Sequence, residues 1–284
     1  MKNILLFGAS GNLGKEIAKE LVKQGYNLTV VVRNKVKADQ LSSITKNSII
    51  ADVTDPKALE NSCKGFDAVI SALGKSVSMN DKSKATFKEI DLDANSNILN
   101  EAKNSGVKKF VYVSALHSEN YLHLDYFKVH HEFSEKLKAS GLNYSIIKPP
   151  AIMCAFVDVI QMAKKDQLMN IGAGDKRTNP IYEGDLAVVC VNALKENNIT
   201  IEAGGEQVYT RKQINEIIQN EVKPGKKLWS IPAFMVRMGL PMMRLFDKNT
   251  YDKFAFYMEV IEHDTLAPKI GRTKLEDYIK SKCN

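Results

Sequence analysis

The chain reads as an α/β protein in which a doubly wound parallel sheet is followed by a smaller C-terminal α+β lobe. Three observations predict this. Ile4 to Phe7 is a short apolar run that breaks into the glycine-spaced turn Gly8-Ala9-Ser10-Gly11-Asn12-Leu13-Gly14 and then feeds a helix. Apolar runs and helical periodicities then alternate down to Pro149, as right-handed crossovers between parallel strands require. Beyond Ala151 the strict alternation stops, which sets the expected domains at 1–150 and 151–284.

The first strand is bounded by glycine, and Leu13, Ile17, Ala18, Leu21 and Val22 recur after it at helical spacing. The three glycines have separable jobs. Gly8 permits the sharp turn off the strand, Gly11 admits a phosphate to the backbone, and Gly14 lets the helix pack closely on the sheet. Gly8, Ser10, Gly11, Asn12, Leu13 and Gly14 therefore form a candidate pyrophosphate cradle at a helix N-terminus.

Gly25 and Asn27 break the first helix, and Leu28 to Arg33 is the second strand. In a sheet of this kind an acid about twenty residues past the glycines binds ribose hydroxyls, whereas an Arg accommodates a 2′-phosphate. Arg33 stands there, followed by Asn34, Lys35 and Lys37, with no acid until Asp39. The sequence thus predicts NADP(H) in preference to NAD(H).

Ser48 to Thr54 reads as a short strand ending in a polar turn. Asp52, with Val53 beside it, stands where a carboxylate could accept from an adenine amino group or cap a helix spanning Lys57 to Cys63. Phe66 to Gly74 is the fourth strand, and its exit Ala72, Leu73, Gly74 lets backbone press on a cofactor. Lys75 to Lys88 is read as a mobile connection, and Asp91 to Asn104 as a helix closed by Gly106. Lys109 to Ser114 is the fifth strand, so Ser114 joins Gly8, Arg33, Asp52 and Ala72 at the strand ends where ligands bind.

Several segments resemble the atypical and extended branches of the short-chain dehydrogenase/reductase superfamily, in particular the NAD(P)H-binding, NmrA-like group. They are Gly8 to Gly14, Ala51 to Thr54, Ser71 to Gly74, Val111 to Ser114 and Ser140 to Pro149. A looser match, Asn179 to Ala187, is similar to a later helix of that family that returns to the core, here about 180–195. The resemblance implies a Rossmann-type sheet, and it implies that Pro149 passes beside the nicotinamide. The family covers reductases, epimerases and non-catalytic redox sensors.

Active members of the family usually carry Tyr-x-x-x-Lys on the helix after the fifth strand, which puts both side chains on one face. The Tyr exchanges the proton that accompanies hydride transfer, and the Lys lowers its pKa. Here Tyr126 is followed four residues on by His130, and Lys128 points off another face. A neutral imidazole supplies less positive potential than an ammonium, so Tyr126 would remain protonated, fit to give a proton in a reduction. Tyr126 and His130 are the candidate catalytic pair. The competing reading makes Tyr126 an anchor of a core helix and His130 its solvated neighbour.

His117, His123, His130 and His131 fall close together, but adjacent helical histidines diverge by about 100° and no acid or Cys completes a ligand spacing, so no metal is expected. After the sixth strand, Tyr144 to Pro149, helices are expected at 155–163 and 184–195, with a strand at 205–210. A helix capped by Thr210 and Gln213 and a terminal helix at 275–280 follow. The methionine-rich stretch 235–243 is read first as lobe core, with a substrate wall or a partner-binding helix as alternatives.

Composition limits the partners. The 284 residues carry a net charge of +7, but Lys and Arg are scattered among acids, so no nucleic-acid partner is expected. Cys63, Cys154, Cys190 and Cys283 form no C-x-x-C pair, and the first strand starts almost at Met1, so a cytoplasmic protein without a signal peptide is expected. Ile231 to Phe246 is interrupted by Arg237, Pro241 and Arg244 and is too short to span a bilayer. The resulting expectation is an NADP(H)-dependent oxidoreductase acting on a small carbonyl or enone compound in a cleft between the two domains. Its competitor is a cofactor-binding regulator with a protein partner.

Overall fold

A computed structural model describes residues 1–283. The chain forms two compact units. The first comprises Met1–Lys75, Ala85–Lys148 and Glu183–Ile201, and the second Ser76–Lys84, Pro149–Tyr182 and Glu202–Asn284.

The first unit is built on strands β1 (Asn3–Phe7), β2 (Asn27–Val32), β3 (Ser48–Ile50), β4 (Ala68–Ser71), β5 (Lys109–Val113) and β6 (Asn143–Lys148). They lie in the order β3-β2-β1-β4-β5-β6, with a seventh strand, Ile199–Glu202, beside β6. All five pairings among β1 to β6 are parallel. The order reverses at β1, between β2 and β4, and a ligand crevice opens outside the carboxyl ends of the strands at such a point. Helices cover the sheet, so its middle strands are apolar on both faces, and Ile4, Leu5, Leu6 and Phe7 are fully buried.

Helix α1 (Asn12–Lys23) buries Leu13, Gly14, Ile17, Ala18 and Leu21 along one stripe. A single short helix, α2 (Lys35–Asp39), follows β2. The helix expected over Lys57 to Cys63 is only one 3-10 turn, Pro56–Leu59, and Asn61 breaks the chain with φ +62°. The helix expected from Asp91 is regular only as α3 (Asn95–Asn104), because Lys88–Ala94 is wound as π-helix. Helix α4 (Asp125–Lys138) buries Phe127, Val129, His130, Phe133, Ser134 and Leu137.

The second unit contains α5 (Phe156–Lys164), which precedes α6 (Glu183–Asn192) of the first unit in the chain. Helix α6 packs on α1, and Gln24 donates to the Asn192 side chain at 3.3 Å. The second unit continues with α7 (Arg211–Val222), α8 (Ala233–Phe246), α9 (Lys248–Glu262) and α10 (Leu275–Cys283). Its core gathers Ile160 and Ala163 of α5, Ile214 and Ile218 of α7, and Leu275, Tyr278 and Ile279 of α10. The Thr210/Gln213 capping box forms as the sequence predicts, whereas the strand before it shrinks to Tyr209–Thr210. The methionine-rich stretch is not lobe core, since α8 buries none of its residues.

Candidate functional site

The turn after β1 is held by its glycines in three different ways. Gly8 has φ +77°, and a Cβ on it would stand 2.5 Å from the Ala72 carbonyl oxygen. The exits of β1 and β4 can close on each other only because that atom is missing. A Cβ on Gly14 would stand 2.1 Å from the Gly8 oxygen, so α1 packs on the turn itself. Gly11 is different: its Cβ would meet the Gly8 oxygen at 3.4 Å and nothing else within 4 Å.

Packing alone therefore does not demand glycine at position 11. The same residue is the N-cap of α1 and offers no side-chain hydrogen bond to the amides of the first turn. An uncapped helix start behind a space that a side chain would fill has the donors and the room for a pyrophosphate. Ser10 is half-buried and Asn12 exposed on this turn, while Leu13 points into the core. The residues present fit a dinucleotide.

Arg33 is exposed at the end of β2. Asn34 caps α2, its side chain accepting from the Lys37 amide at 3.0 Å. The Asp52 carboxylate takes both the Thr54 hydroxyl (2.7 Å) and the Thr54 amide (2.9 Å) on Oδ1. Those bonds, then the charge of Arg33, hold it below the usual carboxylate range. Asp52 caps no helix, for Asp55 accepts from Lys57 at the start of the 3-10 turn. Val53 is buried, and its carbonyl accepts from the Asn97 side chain at 3.2 Å.

The exit of β4 is pinned from behind by Asp91 of the π-helical turn and Asn95, the first residue of α3. The Asp91 carboxylate accepts from the Lys75 amide at 3.1 and 3.3 Å, and a Cβ on Gly74 would stand 3.1 Å from its Oδ1. Asn95 accepts the Ser71 hydroxyl at 2.6 Å and donates to the Leu73 carbonyl at 3.4 Å. Its amide also bonds the Ile90 and Asp91 carbonyls, so the same side chain stabilises the widened turn. Such π-turns recur at functional sites. Ala72, Leu73 and Gly74 thus reach the carboxyl end of the sheet on a rigid support.

His130 sits at the centre of a buried polar chain. It is 5% exposed, its Nδ1 lies 2.6 Å from the Tyr112 hydroxyl and its Nε2 lies 3.5 Å from Asp91 Oδ1. Burial drives the imidazole down to about 3. Burial also lifts the Asp91 carboxyl to about 8, against the pull of the Lys75 amide and the Lys75 charge. Tyr112 is pushed well above its ordinary value by burial and by the neighbouring Asp91 and Tyr126. The Tyr112 hydroxyl and Nδ1 thus share one hydrogen bond, and Nε2 faces Asp91. The solvated His130 considered from the sequence is corrected: it is a core residue, uncharged because it is buried.

Tyr126 is half-buried and stacks edge-on against that histidine, with ring centroids 4.8 Å apart, and against Phe87 at 5.4 Å and Phe127 at 5.1 Å. Ser114 follows β5, its hydroxyl 3.2 Å from that of Ser134, which donates to the His130 carbonyl at 2.7 Å. Pro149 opens a segment of the second unit. Sequence reasoning missed Asp91, Asn95, Tyr112 and the buried Lys75. Only the buried position of Tyr112 on a strand could have marked one of them.

A family model described as NAD(P)H-binding matches residues 8–197. The chain belongs to that family. Its fold is that of the atypical short-chain dehydrogenase/reductase, NmrA-like proteins that the sequence motifs resemble. NADPH-dependent quinone oxidoreductase of Escherichia coli, in complex with NADPH, superposes with a TM-score of 0.72 at 20% identity, covering 99% of this chain and 100% of that one. Triphenylmethane reductase of Citrobacter sp., complexed with NADP(H), gives 0.76 at 17% identity over 99% and 100% of the two chains. Photosystem II assembly factor Ycf39 of Trieres chinensis is 22% identical over 260 residues, 89% of this chain and 80% of that protein. Among the described residues no helix is long and apolar enough to cross a membrane, and no group of three or more His, Cys, Asp or Glu could hold a metal ion.

Proposed function

We propose that this NAD(P)H-binding chain is an NADP(H)-dependent reductase of a small carbonyl or enone compound, with Tyr126 as the proton donor. The observation that carries the reading is Tyr126, half-buried on α4 at the family's tyrosine position with its ring edge-on to the buried, uncharged His130 at 4.8 Å. With no cation there, nothing at position 130 draws the adjacent phenol toward its anion. That arrangement suits giving a proton to a substrate that is being reduced and disfavours the reverse oxidation of an alcohol.

NADPH, when bound, supplies the hydride. The turn at Gly8, Ser10, Gly11, Asn12, Leu13 and Gly14 would hold the pyrophosphate on the free amides of the helix start, the Gly11 amide itself being donated to the Gly8 carbonyl at 3.0 Å. Arg33 would pair with a 2′-phosphate, which favours NADP(H) over NAD(H). Ala72, Leu73 and Gly74, held from behind by Asp91 and Asn95, would lie under the cofactor together with Ser114, while Asp52 would take the adenine amino group and Val53 would flank it. A reductase and a quinone oxidoreductase that bind NADP(H) or NADPH share the fold, in keeping with this chemistry.

A second reading has its own support. The relative described as an assembly factor aligns along 89% of the chain, and position 130 lacks the ammonium. A regulator whose partner affinity follows cofactor occupancy would keep the cradle and need no proton donor. NADPH consumption measured over a panel of aldehydes, enones and quinones separates the two: turnover supports the reductase, and cofactor binding without turnover on the panel supports the regulator.

A further inference from the structure

The second unit displays an apolar surface that the cofactor chemistry does not use. Helix α8 advances about 100° per residue, which places Phe234, Met235, Met238, Met242, Leu245 and Phe246 within an arc of about 120°. All six are exposed, Met238 at 75% and Leu245 at 84%. The half-buried Val236, Leu240 and Met243 recur on the opposite side of the helix, which packs on α9. Just upstream, Trp229, the chain's single tryptophan, is 81% exposed.

Cations flank this stripe in the sequence. Between Lys223 and Lys248 the sequence carries six Lys or Arg and one carboxylate, Asp247. Lys223 and Lys226 share Asp166, Arg237 pairs with Glu262, and Lys248 with Asp252. Lys227 and Arg244 make no ion pair among the described residues, and the Arg244 guanidinium rests over the Tyr251 ring at 5.5 Å. Arg237 and Arg244 lie about 60° and 80° beyond one edge of the apolar arc.

We infer that α8, with Trp229 and Lys227, docks flat on an anionic lipid surface. A helix of 14 residues is about 21 Å long, too short to cross the roughly 30 Å hydrocarbon layer but suited to lie in its interface. Aromatic, Met and Leu side chains along one arc enter the acyl boundary, and the cations beside it meet headgroup phosphates. An apolar groove on a protein would accept the stripe equally well but would give Lys227 and Arg244, which no carboxylate among the described residues neutralises, no anionic partner. The charge pattern therefore selects the lipid.

The lone tryptophan makes the test direct. The whole chain is mixed with phosphatidylcholine vesicles, without and with phosphatidylglycerol, while Trp229 emission and co-sedimentation are followed. A blue shift and pelleting with the anionic vesicles are expected, with a preference of about tenfold or more over neutral ones that salt weakens. Met238→Glu with Met242→Glu, both at exposed sites, is expected to abolish binding while circular dichroism and NADPH affinity stay unchanged. No binding to anionic vesicles, or binding that survives the double substitution, overturns the inference. So does a dimer in sedimentation velocity that the double substitution dissociates, because the stripe would then be covered by a second copy.

Discussion

His130 Nε2 lies 3.5 Å from Asp91 Oδ1, with both side chains sealed from solvent. The carboxyl is raised to about 8 and the imidazole lowered to about 3, both by burial, so between those pH values the folded pair holds one proton. Unfolded, the same two groups hold one proton from about pH 4 to 6.5 and none above. The folded state therefore binds the extra proton only above about pH 6.5. Stability should fall as pH rises from about 6.5 to 8, by about 2 kcal/mol in all. Asp91→Asn is expected to flatten that limb relative to the wild-type chain, as urea denaturation at pH 6.5 and 8 would show. An unchanged slope would mean that the pair does not share a proton.

The three glycines should separate in mutagenesis. Gly14→Ala drives a methyl into the Gly8 carbonyl and should destabilise the fold by roughly 2–4 kcal/mol. Gly11→Ala meets only one atom, at 3.4 Å, and should leave thermal stability within about 1 kcal/mol of wild type. Its NADPH affinity should nevertheless drop by about tenfold or more, because the methyl takes the space in front of the helix amides. Thermal denaturation and calorimetric titration on the two variants check both halves of this expectation.

Arg33→Asp should reverse cofactor preference. It removes a cation placed for a 2′-phosphate and supplies a carboxylate that can accept from ribose hydroxyls. A charge-assisted bond is worth about 1.5–3 kcal/mol, so NADPH affinity should fall by at least about tenfold while NADH affinity holds or improves. Dissociation constants for both cofactors, measured by nicotinamide fluorescence at one ionic strength, decide it. Equal losses for the two would remove Arg33 from the discrimination.

The strand-turn-helix unit at Gly8 to Gly14 was legible because its geometry is local. A strand, three spaced glycines and a helix lie within about twenty residues; Gly14 is fixed by atoms of that same turn and Gly8 by the β4 exit. The parallel, doubly wound character of the sheet followed from alternation. The polar chain behind the site was not legible, because Asp91 and His130 are 39 positions apart and meet only when α4 packs beside the π-helical turn. Nothing local in Lys88 to Ala94 announces a π-helix. The turn is stabilised in part by Asn95 reaching back to the Ile90 and Asp91 carbonyls, a tertiary accommodation to the β4 exit. Helix α8 misled for a different reason: periodic apolar residues fit a core face, and in this helix the richer apolar stripe points outward.

The proton donor is the centre of the proposed chemistry, and Tyr126→Phe tests it most directly. The substitution keeps the ring that stacks on His130 and Phe87 and removes only the hydroxyl. NADPH oxidation should be followed for both chains over aldehydes, enones and quinones, with cofactor affinity measured alongside. The expected result is turnover of at least one acceptor by the wild-type chain and a loss of about 10²-fold or more in the variant, at unchanged NADPH affinity. Turnover that survives the loss of the hydroxyl, or bound NADPH that no acceptor oxidises, would contradict Tyr126 as the proton donor.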